Sequence, residues 1–413
     1  MSLLPRSKSL ILVPVLLAGT LSLSGPSGAA CAPDNAGLTL PQGFCAVVLA
    51  SGLDGVRHLA VGPTGDLYAA VGGGGDGKGV AAFRDRDGDG KPEEQVAFGP
   101  GGGNDIAVHD GYLYLALNNR VLRWRLTPGK LAPEGKEEVV IDQLPDDGNH
   151  QAKTLAFGAA DAMYVKIGSA TNSCQVADRK AGSPGRDPCS ELERHAGIWQ
   201  FSASRMGQRF TDGKRIATGL RNAEAIAIQP GTGDLYAAIH GRDQLADSWG
   251  FSDEISAENP AEELVRVQPG DNFGWPYCYY SNQYRKKVLA PEYGGDGRKV
   301  GRCAAAKDPI IAFPGHWAPM SLAFYPSDKF GSAYSGGLFI AFHGSWNRAP
   351  LPQAGFRVVF APFADGKATG SYTTFASGPT PTDLHATGLA VGTDGSLYLS
   401  SDKDGRIWKI LRK

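Results

Sequence analysis

Residues 219–243 read GLRNAEAIAIQPGTGDLYAAIHGRD: a polar tip at Arg221 and Asn222, a short apolar strand at Ile226-Ala227-Ile228, a Pro/Gly turn, and a second strand at Leu235-Tyr236-Ala237-Ala238. Two short apolar strands around such a turn predict a β-hairpin. The pattern occurs six times. Its first strands are Leu59-Ala60-Val61, Ile106-Ala107-Val108, Leu155-Ala156-Phe157, Ile226-Ala227-Ile228, Leu322-Ala323-Phe324 and Leu389-Ala390-Val391. Its partners are Leu67-Tyr68, Leu113-Tyr114, Met163-Tyr164, Leu235-Tyr236, Leu338-Phe339 and Leu397-Tyr398. Six divergent repeats of short strands predict an all-β, six-bladed β-propeller. The alanine has a steric reason: innermost strands crowd around a central axis, where large side chains cannot all point.

The chain ends on a strand at Arg406–Ile410, and an apolar stretch, Phe44 to Leu49, precedes the first repeat. That early strand is expected to complete the last blade and remove an exposed sheet edge. Before it, Arg6 and Lys8 lead an apolar run from Leu10 to Leu17, followed by Gly28-Ala29-Ala30. This reads as a secretory signal over residues 1–30, cut after Ala30, too short to span a bilayer. One propeller domain is expected from residue 31 to 413, periplasmic or secreted. Six cysteines in an exported chain suggest disulfides, and pairing near neighbours gives Cys31–Cys45, Cys174–Cys189 and Cys278–Cys303. A net charge of −1 gives no electrostatic pull toward nucleic acid or anionic membrane.

Equivalent positions in six repeats occupy equivalent places around the axis, so the residues before each first strand form a ring at one mouth. They are Arg57 and His58; Asn104 and Asp105; Asn149, His150, Gln151 and Lys153; Arg221, Asn222 and Glu224; His316, Trp317 and Met320; and His385 and Thr387. The imidazole of His150 suits a general base, because its ordinary pKa lies near neutrality. The planar fork of Arg221 suits an anion or a polarised carbonyl, and equally an ion pair with Glu224. Asn104, Asp105, Asn149, Gln151 and Trp317 are candidate substrate contacts. Elsewhere, Asp85, Asp87 and Asp89 alternate with glycine as in a calcium loop, although Val96 stands where the twelfth-position Glu belongs.

Four stretches in order, Gly148-Asn149-His150-Gln151, Gly219-Leu220-Arg221-Asn222, Asp271-Asn272-Phe273-Gly274-Trp275-Pro276 and His343-Gly344-Ser345-Trp346-Asn347-Arg348, resemble the soluble PQQ-dependent sugar dehydrogenases of the glucose/sorbosone dehydrogenase family. The resemblance implies a propeller carrying PQQ and Ca2+ at one mouth and oxidising a sugar or sugar aldehyde. By position it implies His150 as the base, Arg221 and Asn222 on the cofactor, and the backbone carbonyls of Gly241 and Arg242 on calcium. His385 and Thr387 stand where the glucose-oxidising members place two arginines against the cofactor carboxylates, with Arg348 or Arg57 as substitutes. Asn149 replaces the acidic neighbour of the base, which points away from glucose. The chain has no CxxCH haem motif, so electrons leave to a separate acceptor. Two other readings are a calcium-dependent lactonase, which wants axial carboxylates such as Asp105 and Glu224, and a non-catalytic sugar- or protein-binding propeller.

Overall fold

Six sheets surround a common axis, each built on four antiparallel strands, and blade two gains a short parallel edge strand, Gln208–Arg209, beside Glu138–Asp142. The computed structural model describes residues 1–2, 31–73 and 77–413, so the body of the expected signal segment lies outside the described residues. The inner strands are Val56–Val61, Asp105–His109, Leu155–Phe157, Ala225–Ile228, Pro319–Phe324 and Ala386–Val391. Every sequence-predicted hairpin pair is present, for example Ala227 opposite Tyr236 and Ala390 opposite Tyr398. The last blade is completed by Phe44–Ala50, which runs antiparallel to Arg406–Arg412 with Val48 opposite Trp408.

The alanines do not face the axis, and this corrects the reason given for them. Side chains of a strand alternate between the two faces of a sheet, and each blade face meets a neighbouring blade. Ala60 lies in a core with Ile106, Ala156 with Ile226, Ala323 with Leu389, and Ala390 with Leu59. At these four interfaces a small residue of one inner strand meets a large residue of the next, where the wedge between blades is narrowest. Close packing makes this pairing specific to about one methylene.

Long excursions from blades three and four cover the mouth at which the inner strands begin. Disulfides join Cys31–Cys45, Cys174–Cys189 and Cys278–Cys303, the three pairs expected. The segment between Gly241 and Glu263 holds two short helices, Leu245–Trp249 and Asp253–Glu258. The second is capped by Ser252, whose hydroxyl accepts from the Ile255 amide at 3.3 Å. Glu292 ties the cover together: its buried carboxylate meets Arg242 at 2.7 Å and accepts from Ser173 at 2.9 Å and Trp249 at 3.0 Å. Among the described residues, no helix is long and apolar enough to cross a membrane.

Candidate active site

The six polar strand starts form two sectors. Those of blades three to five, with the loop after Ile239, open into a pocket of about 300 Å³ lined by His150, Arg221, His240, Asp243, Glu262 and His316. Those of blades six, one and two lie outside it, with His58, Asp105 and Thr387 buried. Two larger hollows of about 520 Å³ lie at the opposite strand ends, around the Thr232 turn, and the charged residues of the first include the ion pairs Arg266–Asp234 at 2.7 Å and Lys307–Asp271 at 3.5 Å.

Within the pocket, hydrogen bonds set the tautomer of His150. Its Nδ1 lies 2.9 Å from the Ser169 carbonyl and 3.0 Å from the Ser169 hydroxyl, which itself donates to the Thr171 carbonyl at 2.7 Å. Both neighbours accept, so Nδ1 carries the proton and Nε2 presents a lone pair. Burial, then the Arg221 charge, holds this imidazole well below its ordinary value and keeps it neutral. His240 is held the same way: its Nε2 donates to the Pro319 carbonyl at 2.7 Å, and burial pushes it down to about 4.

Asp243 is the ionised hub. Burial opposes its charge, but Arg221, then Arg179 and His316, more than offset this and hold the carboxyl well below the carboxylate range. Oδ2 accepts from Arg221 and Arg179, each at 2.9 Å, and Oδ1 accepts from Asn347 at 2.8 Å. Arg221 therefore pairs with Asp243 and not with Glu224. Three more of its five donors go to the Asn172 carbonyl at 3.1 Å, the Asn172 side chain at 3.0 Å and the Gly241 carbonyl at 2.8 Å. Glu262 is 2% exposed, and burial pushes it up to about 8 against the opposing backbone hydrogen bonds of Gly241, at 3.3 Å, and Ala318. Asn347 Oδ1 is buried without a partner.

The structure brings His150, Asn149, Arg221 and Gly241 together in the pocket and leaves the other candidates outside its lining. Asn222 and Glu224 face the axis instead: the Asn222 oxygen accepts from Lys166 at 2.6 Å, and Glu224 pairs with Lys166 at 3.3 Å and Arg57 at 3.6 Å. Asp105 is buried against His58 at 2.7 Å and the Leu155 amide at 2.6 Å. Lys153 is also buried, its ammonium on the Gln151 carbonyl. Asn104 and Gln151 share Asn118 at 2.7 and 3.1 Å on the exposed rim. Trp317 stands in the blade-five core against Phe342 at 5.4 Å. The Thr387 hydroxyl is spent on the Val56 carbonyl and Ser400, at 3.1 and 3.0 Å. Arg348 clamps Glu258 at 2.6 Å and the Gly315 carbonyl at 3.2 Å. Arg242 is buried with Glu292, and His385 groups with His343 and Asp402.

The Asp85–Asp89 loop follows the third strand of blade one, at the ends opposite the pocket. Lys409 reaches into it, 3.0 Å from Asp85 Oδ2 and 3.4 Å from the Gly88 carbonyl, and supplies a built-in positive charge. His240, Asp243 and Glu262 do not occupy the offset ahead of an inner strand that the ring of polar residues shares. His240 directly follows a second strand, Leu235–Ile239, and those ends reach the same mouth. Reading that second offset finds His240, His343 and Asp402.

The model of the TrAA12-like family matches residues 38–413. The chain belongs to that family. Among solved structures, this TrAA12-like protein is similar to a Trichoderma reesei protein of Carbohydrate-Active Enzymes Family AA12, with TM-score 0.76 and 20% identity over 91% of this chain and 98% of that one. It is also similar to the PQQ domain of a pyranose dehydrogenase from Coprinopsis cinerea, with TM-score 0.72 and 18% identity over 91% and 97%. In sequence it is 29% identical over 242 residues to a pyrroloquinoline quinone-dependent pyranose dehydrogenase of Coprinopsis cinerea, covering 48% of this chain and 31% of that protein. It is 28% identical over 201 residues to an uncharacterized protein of Borreliella burgdorferi, covering 47% and 48%. The TrAA12-like chain thus spans less than half the length of these curated relatives.

Proposed function

We propose that this protein is a PQQ-dependent oxidoreductase that oxidises a hydroxyl or aldehyde carbon of a sugar, with His150 as general base. One observation carries the reading: a neutral imidazole, locked through Nδ1 on Ser169, turns an unspent Nε2 lone pair into a polar pocket. A base in this state accepts a hydroxyl proton without first losing one of its own. The relation to a PQQ-dependent pyranose dehydrogenase supports the substrate class.

The residues present fit the cofactors. The pocket offers unspent acceptors at His150 Nε2, His240 Nδ1 and the unpaired Asn347 Oδ1, beside the Arg221 and Arg179 cations. Arg221 and Arg179 would hold an anionic quinone. The Gly241 carbonyl, which keeps one lone pair beside its bond from Arg221, would hold calcium together with the Arg242 carbonyl, since calcium takes oxygen ligands. When bound, PQQ supplies a hydride-accepting quinone and calcium a Lewis acid. Trp346, 71% exposed at the lip of the pocket, offers an apolar face for a sugar ring. Three disulfides fit a periplasmic or secreted protein that passes electrons to a separate acceptor. The lactonase reading loses its axial carboxylates, because Asp105 is spent on His58 and Glu224 on Lys166 and Arg57.

The test adds PQQ and calcium to purified protein and follows dye reduction with aldoses, sugar aldehydes and polyols. Turnover with at least one sugar, lost in His150→Ala while quinone absorbance still titrates to saturation, supports the assignment. Saturable quinone binding without turnover on any substrate sinks it.

A further inference from the structure

A second cluster of chemistry-bearing side chains lies at the same mouth, outside the pocket lining. His343 follows the second strand of blade five, Leu338–Phe342; His385 precedes the inner strand of blade six, Ala386–Val391; and Asp402 follows that blade's second strand, Leu397–Ser401. Ala386 pairs with Ser401 across the ladder, so His385 and Asp402 flank one cross-strand pair. The His343 amide donates to the Ala318 carbonyl at 3.0 Å and fixes the third member. His343 Nε2 lies 3.0 Å from Asp402 Oδ1, and the two imidazole centroids are 4.6 Å apart. One ligand atom from each of the three residues lies within 4.8 Å of the others.

We propose that His343, His385 and Asp402 bind a divalent transition metal of the zinc or copper class. Two imidazoles and one carboxylate suit such ions, whereas calcium takes oxygen ligands only. The 3.0 Å between Nε2 and Oδ1 matches neighbouring ligands on metal bonds of about 2.0–2.2 Å. A simple His–Asp hydrogen bond accounts for His343 and Asp402 but does not explain why a second imidazole, anchored through one ring nitrogen on the Thr382 backbone, stands beside them. Supporting contacts point the same way: Arg57 Nη1 lies 3.7 Å from Asp402 Oδ2, which leaves Oδ1 for the ion. Phe356 packs 5.0 Å from the His385 ring, and Gly344 admits it, since a Cβ there would come within 2.2 Å of Phe356. Outer contacts of this kind orient metal ligands. Three protein ligands, all half-buried, leave a coordination position open to a small molecule.

The proposal does not depend on quinone chemistry, so its test uses full-length protein without an affinity tag, stripped by chelator and free of PQQ. Zinc chloride alone is titrated calorimetrically at pH 7, and melting is followed with and without it. One equivalent should bind and raise the melting temperature. His343→Ala and His385→Ala should each weaken binding at least tenfold, whereas Glu134→Gln, in an exposed ion pair with Lys130, should leave it unchanged. If an alanine variant fails to fold, His385→Asn takes its place. No stoichiometric zinc binding, or binding that survives both histidine substitutions, overturns the site.

Discussion

Glu262 is the pocket residue whose charge state departs furthest from what a sequence suggests. It is 2% exposed; burial raises it to about 8, and the Gly241 amide and Arg221 only partly oppose that. The carboxyl is therefore protonated at neutral pH. Its folded value lies above its unfolded one, so its stabilising share is full below about 4.5 and is lost as pH rises toward 8. Glu262→Gln copies the neutral form. Denaturant titrations at pH 5 and pH 8 should show wild type losing stability over this interval relative to Glu262→Gln, by an amount on the order of a few kcal/mol. Equal losses in both would mean that Glu262 is ionised. His150 behaves in the opposite sense: burial and Arg221 hold it well below 6.5, so a base in this state is already active at neutral pH. The acid limb of kcat/KM should fall below pH 6.5, and a limb at 6.5 or above would contradict a buried base. His150 and Arg221 were legible because they occupy a repeated offset before an inner strand. Glu262 was not, because a lone Glu at the start of a third strand gives no signal until its burial is known.

At the scale of elements, the repeats were legible because a small-large alternation at the blade interfaces recurs six times. The two helices after Gly241 were not, since five and six residues are too few to establish a 3.6-residue period. The packing of Gly168 was equally hidden. This glycine ends the second strand of blade three, and a Cβ on it would lie 2.5 Å from His150 Cβ and 3.0 Å from Asn222 Oδ1. It is the contact through which that strand sets the position of the proposed base. Gly168→Ala should cost about 1–3 kcal/mol through overpacking. It should also lower kcat on the order of 10²-fold by displacing His150, with quinone affinity largely kept. Melting curves and steady-state kinetics check both. A kcat loss no larger than that of a surface substitution of equal stability cost would show that Gly168 does not position the base.

At the scale of the molecule, ring closure rests on one strand from the far end of the chain. Phe44–Ala50 pairs with Arg406–Arg412, Lys413 N donates to the Gly43 carbonyl at 2.8 Å, and Trp408 Nε1 donates to the Ala36 carbonyl at 3.0 Å. Cys31–Cys45 fastens the strand to the segment before it. This closure was legible because the last repeat lacks a fourth strand after Arg406–Arg412 while an unassigned apolar stretch stands before the first. Blade contacts do not depend on the order in which strands are connected, and Gly43 lies beside Lys413. A permuted chain that starts at Ser51 and carries residues 43–50, with Cys45→Ala, after Lys413 through a short turn should therefore close the ring by a local hairpin. It should elute with wild type on size exclusion and melt in one step, below wild type, because it lacks residues 31–42 with buried Leu38 and the Ala36 carbonyl bonded to Trp408. Removing residues 31–50 without replacement leaves the Arg406–Arg412 edge unpaired, and an exposed edge recruits other chains. That variant should aggregate or elute larger than wild type on size exclusion, while the permutant elutes with wild type. If both aggregate alike, the segment before Phe44, and not the closing strand, holds the last blade in place.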